Sequence, residues 1–213
     1  VPVDAYCERT DPSFWSEPAN AITNVAFLIA AVLAYRHLTR AGRAPGSIVA
    51  LVVLLLAIGL GSFTFHTVAT GWAAALDVGP ILLFMLTYVA VFPRWFLGLP
   101  WRRAWLGVPA FIAFAALVNL VVRGTYVPAL LGMFAFAALL LARNMRAYAA
   151  WFAGIGALFG VSLTLRTIDG SVCGGFPLGT HFAWHLLNAA VLYLLIRVAV
   201  DRWQEVAGAS GPR

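Results

Sequence analysis

Two histidines, His181 and His185, stand four residues apart in the run His181-Phe182-Ala183-Trp184-His185. On a helix that spacing projects both rings from one face, where they can share one metal ion. Far upstream, Gly61-Ser62-Phe63-Thr64-Phe65-His66 sets a serine four residues before a third histidine, and Asp77 follows in Leu76-Asp77-Val78-Gly79-Pro80. Three imidazoles with the fourth position open make the ligand set of a catalytic zinc. Zinc lowers the pKa of its water to about 7, which makes hydroxide available near neutral pH. Asp77 then suits the role of base towards water and acid towards a leaving nitrogen. Ser62, one turn from His66, can donate to the oxyanion of a tetrahedral intermediate.

The same residues have other uses. Two membrane histidines can ligate a haem, Asp77 can hold a neighbouring helix, and Ser62 can be a small packing residue between helices.

The elements that must position these groups are membrane spans. The chain is 62% hydrophobic and 10% charged, against roughly 25% charged in a soluble domain. Apolar runs of about 17–22 residues give seven of them: Pro18 to Tyr35, Ser47 to His66, Ala73 to Phe92, Ala104 to Val122, Tyr126 to Ala142, Tyr148 to Leu165 and Thr180 to Val200. None alternates as a barrel strand does, so the expectation is an all-α bundle of seven transmembrane helices. Residues 1–17 form an acidic segment outside the membrane, 18–200 the bundle and 201–213 a cytoplasmic tail. Val1 to Glu17 has no apolar core, so the first span is expected to serve as its own insertion signal.

Direction follows from the basic residues, all 14 of which are arginine. Arg36, Arg40, Arg43, Arg94, Arg102, Arg103, Arg143, Arg146, Arg197, Arg202 and Arg213 fall on one side, and Arg9, Arg123 and Arg166 on the other. That bias puts the amino terminus outside and the carboxyl terminus in the cytoplasm. His66, Asp77, His181, His185 and Ser62 then share one layer in the outer half of the bilayer, where each ionisable group is costly and prompts a functional reading. His37, among arginines in a cytoplasmic loop, reads as solvated; Trp95, Trp101, Trp151 and Trp203 read as interfacial anchors. The absence of lysine excludes a retinal Schiff base. Arginines at span ends, rather than along a polar stripe, exclude nucleic acid. The arginine and alanine bias points to a GC-rich bacterial genome, and with the spans the expected location is a bacterial inner membrane.

Cys7 and Cys173 both fall on the outer side, so a disulfide and a pair of buried thiols are both open. Asp4, Glu8, Asp11 and Glu17 crowd the outer segment against Arg9. They could bind calcium through oxygen, form a solvated acidic stretch, or, for Glu17, favour the first helix dipole.

Three separated motifs bear a resemblance. They are Tyr6-Cys7-Glu8 with Glu17-Pro18-Ala19-Asn20-Ala21-Ile22-Thr23-Asn24; Gly59-Leu60-Gly61-Ser62-Phe63-Thr64-Phe65-His66 with Asp77; and Ile168-Asp169, Cys173 and His181-Phe182-Ala183-Trp184-His185. In this order the chain resembles the alkaline ceramidases, seven-helix hydrolases of a superfamily shared with the adiponectin receptors. The resemblance implies zinc on His66, His181 and His185, catalysis by Ser62 and Asp77, and a Cys7–Cys173 disulfide. It also implies calcium at Glu8 and Glu17 with Asp4 contributing. Here the Glu8–Glu17 interval is short, Asp4 is offset by one and Thr10 replaces an asparagine, with Asp11 as a substitute. The implied reaction cleaves the amide of ceramide, a membrane-lipid partner, to a sphingoid base and a fatty acid, with no obligate protein partner. A receptor-like lipid binder with structural zinc is the rival reading.

Overall fold

The computed structural model describes residues 2–42 and 44–209, and its regular elements are helical, as an apolar chain without water to bond its backbone requires. They are α1 (Pro18–Thr23), α2 (Val25–Arg40), α3 (Gly46–Val68), α4 (Gly71–Trp95), α5 (Trp101–Ala104), α6 (Gly107–Val121), α7 (Val127–Ala142), α8 (Arg146–Val172) and α9 (His181–Ala209). Helices α1 and α2 make one rod with a joint at Asn24, and α5 and α6 make another, so the seven expected elements are present. Six of these rods are long and apolar enough to cross a membrane. The 23 residues of α3 reach about 35 Å at 1.5 Å each, against a hydrocarbon layer of about 30 Å. Helix α7, with 16 residues, is the short one.

The rods form a closed ring in chain order. α3 packs between α2 and α4, then α6, α7, α8 and α9 follow, and α9 returns to α2 while touching α3 and α4 across the middle. Ile48, Leu51, Leu55 and Ile58 of α3 and Val191, Ile196, Ala199 and Val200 of α9 fill the interior. Helix α6 contributes no buried residue, and its Leu117, Leu120 and Val121 are exposed apolar surface, as a lipid-facing helix requires.

Two glycines set close approaches. A Cβ at Gly61 would collide with the Leu76 carbonyl, so glycine there lets α3 and α4 touch just where Ser62 and Asp77 lie. Gly179, at φ +67° beside Asp169 and Cys7, makes the turn into α9.

Several expectations change. Helix α8 runs to Val172, well past Leu165, so Arg166 is helical and Cys173 is its cap. Backbone hydrogen bonding does not stop where the apolar run stops, and Thr164 and Thr167 return their hydroxyls to the carbonyls of Gly160 and Leu163. Helix α9 likewise continues to Ala209, so position 200 is no structural boundary. His37 is not merely solvated: its Nε2 meets Asp201 Oδ1 at 2.7 Å, tying α2 to α9. Trp95 and Trp203 are buried rather than interfacial, whereas Trp151 is exposed. Arg43 and Arg213 lie outside the described residues.

Candidate metal centre

His66 sits on the last turn of α3, and His181 and His185 occupy the first two turns of α9. Their ligand atoms all lie within 4.8 Å of one another, and the three residues are buried. Each ring holds one buried nitrogen that has no hydrogen-bond partner: Nε2 of His66, Nδ1 of His181 and Nε2 of His185. Leaving a buried polar atom unpaired is costly. Three such atoms converging on one point are the arrangement a metal ion satisfies, so the residues present fit one.

The second nitrogens explain why the first are free. His66 Nδ1 lies 2.6 Å from Glu17 Oε2, so the ring donates there and turns Nε2 inward. Thr23 donates its hydroxyl to the Ala19 carbonyl at 2.7 Å and faces His185 Nδ1 at 3.0 Å. It can therefore accept from that ring, again leaving Nε2 for metal. Both contacts are outer partners of the kind that orient ligating imidazoles. The His181 ring is stacked on Tyr6 with centroids 3.6 Å apart. Burial pushes the Tyr6 phenol up to about 12, so it covers the site as a neutral ring.

Asp169 fixes the start of α9. Its Oδ1 accepts from Thr180 N at 2.6 Å and His181 N at 2.9 Å, and its Oδ2 accepts from Cys7 N at 3.0 Å. One buried carboxylate thus caps the helix that carries two ligands and holds the amino-terminal segment against it. Cys7 and Cys173 are disulfide-bonded. A short backbone contact, Val3 N to Ala69 O at 2.8 Å, pins the same segment to the α3–α4 turn.

Ser62 is buried and stands beside the half-buried Asp77, whose carboxylate is also within electrostatic reach of His66. These two therefore join the three histidines, as their common depth suggested. Behind them lies a cavity of about 300 Å³ lined by Phe84, Tyr88, Tyr126, Phe159, Trp184 and Leu192, among others. Tyr126, within electrostatic reach of Asp77, and Asn188, one turn after His185, both line this space, so one end of it abuts the site. Arg166 lies over the Tyr126 and Trp184 rings at 5.1 and 5.7 Å.

The four acidic residues of the amino-terminal segment are not brought together as a cation site; the histidine trio is the metal-ready group among the described residues. Both oxygens of Glu8 accept the backbone N–H groups of Ala19 and Asn20, at 2.6 and 2.8 Å, and so start α1. Asp4 is exposed. Asp11 is exposed too, its carboxylate held below the usual range by the Ser13 hydrogen bonds. Glu17 is buried and its carboxylate is committed to His66, Asn20 and Arg9. Burial alone would raise its pKa, but those three donors outweigh burial and hold it below the ordinary carboxylate range.

Thr23, Tyr6 and Asp169 stand in the sequence motifs, but sequence reasoning gave none of them a role; the structure makes them an outer partner of His185, a ring on His181 and the cap of α9. Asp169 carried a usable signal, a lone acid near a span end and twelve residues before His181 opens α9. No protein-family profile matches the chain, and no curated protein matches it.

Proposed function

We propose that the chain is a zinc-dependent intramembrane amidase that hydrolyses ceramide or a related N-acyl lipid to a sphingoid base and a free fatty acid. The observation that carries this reading is the convergence of three unpaired, buried imidazole nitrogens beside Asp77, at one end of an apolar cavity. His66, His181 and His185 would hold the metal. Zinc bound there supplies a Lewis acid and lowers the pKa of water from 15.7 to about 7.

The chain's own groups do the rest. Asp77 takes the proton from the attacking water, whose oxygen bonds to the amide carbon. It returns that proton to the nitrogen as the C–N bond breaks, which releases amine and carboxylic acid; the acid then gives its own proton up to the amine or to solvent. Ser62 steadies Asp77 while the carboxylate is charged; once Asp77 holds the proton, the hydroxyl turns its single hydrogen to the carbonyl oxygen as charge builds there. The apolar cavity receives a lipid chain, and the ring of Tyr6 screens the site from water. In this reading the amino terminus is outside, and the reaction takes place in the outer leaflet of a bacterial inner membrane.

The test is zinc content of the purified protein together with fatty-acid release from a defined ceramide, before and after chelation. About one zinc per chain with chelator-sensitive release supports the reading. Zinc without release from any N-acyl lipid sinks the hydrolase, and absence of zinc sinks the site.

A further inference from the structure

Arg9 is the one basic residue in the segment before the first span, and it is 8% exposed. Its guanidinium makes three contacts, all to oxygen, two within the amino-terminal segment and one on α3. Nε donates to Glu17 Oε1 at 2.5 Å, Nη1 to the Asp11 carbonyl at 3.1 Å, and Nη2 to the His66 carbonyl at 3.1 Å. The last oxygen belongs to the final turn of α3, where carbonyls lack helical partners and a cation is favoured. A carboxylate and two carbonyls are the donor set that a hard metal cation takes. In this chain a planar organic cation already fills it.

The consequence runs through Glu17. One of its oxygens is held by Arg9 and the other by His66 Nδ1, at 2.6 Å. Without a cation at Oε1, a buried carboxylate would face His66 with one oxygen unpaired. The fork of a guanidinium fixes direction as well as charge. Arg9 also bonds the backbone of the very residue whose ring Glu17 orients, so the carboxylate, the ring and the end of α3 are set as one unit.

We propose that Arg9 takes the place of a calcium ion in the amino-terminal segment, and that it is a positioning residue for His66, acting through Glu17. The site therefore needs one metal, held by the histidines, and no calcium. The chemistry of the oxygens argues the same way: Glu8 is spent on the start of α1, and Asp4 and Asp11 are turned to solvent.

This inference rests on the metal reading of the histidine trio but not on ceramide. The test uses full-length protein in detergent micelles, with zinc affinity read by competition against a chromophoric chelator and Tm read during calcium titration. We expect millimolar calcium to leave the wild-type Tm unmoved. We expect Arg9→Ala to lower zinc affinity about 10–100-fold, the range for loss of an outer partner of a ligand, and Arg9→Lys to recover part of it. Calcium should raise the Tm of Arg9→Ala, whose oxygens are left without a cation. A wild-type Tm that climbs with calcium overturns the proposal, as does Arg9→Ala binding zinc as tightly as wild type. Should Arg9→Ala not fold, Arg9→Lys against wild type decides: unchanged zinc affinity rejects the positioning role. A wild-type protein without zinc would defeat the functional reading, while the calcium titration would still decide whether Arg9 fills the cation position.

Discussion

At the scale of single residues, the proposed mechanism separates groups that would hold a metal from groups that would move protons. His66→Ala and His181→Ala are each expected to abolish zinc binding and hydrolysis together, measured as metal content and fatty-acid release. Asp77→Asn should keep the metal and lose about 10²–10⁴-fold in kcat, the usual yield of a general acid–base. Wild-type turnover in that variant would remove Asp77 from the chemistry. Thr23→Val tests the less conspicuous partner, since it keeps shape and removes the oxygen facing His185. Zinc affinity should fall about tenfold, with kcat at saturating zinc little changed. His66, Asp77, His181 and His185 were legible in the sequence because ionisable side chains are expensive in lipid and these shared one depth. The contacts of Glu17 and Arg9 were not, because they join residues 57 and 49 positions apart through a fold. Composition showed an acidic stretch; it could not show which acid had a partner.

Elements place those residues by close approach and by capping. Gly61→Ala is expected to force α4 away from α3 at the Leu76 carbonyl, since backbone cannot swing aside as a side chain can. The measurable result is loss of activity with less loss of zinc, because the Ser62–Asp77 pair lies on that contact while two of three ligands are on α9. Equal loss of both would show that the collision unseats His66 as well. Apolar runs bounded by arginines made the rods readable, including the weak α7. Their true ends were not readable. Helix α8 continues through Arg166 and Asp169 because its backbone stays bonded beyond the greasy stretch. Trp95 and Trp203 were misjudged because tryptophan serves both an interface and a core, and only the packed ring of helices distinguishes them.

The whole molecule closes on itself near the site: α9 packs on α2, and a disulfide links Cys7 to Cys173 across 166 residues. Removing it by Cys7→Ser should cost about 2–5 kcal/mol of stability, seen as a lower Tm, and should loosen the segment that carries Tyr6 and Arg9. The orientation we propose has its own check. A membrane-impermeant thiol reagent added to whole cells should label these cysteines after mild reduction and not before. Labelling confined to inverted vesicles would reverse the topology.

The metal ligands come from the second span and the last, and the residues that orient them come from the first two dozen positions. A nascent chain therefore cannot bring the three imidazoles together until α9 has left the ribosome and entered the bundle. If the proposed hydrolase reading holds, synthesis and activity are separated in time by the order of the spans alone, and a copy cut short before α9 would be inert towards the membrane that receives it.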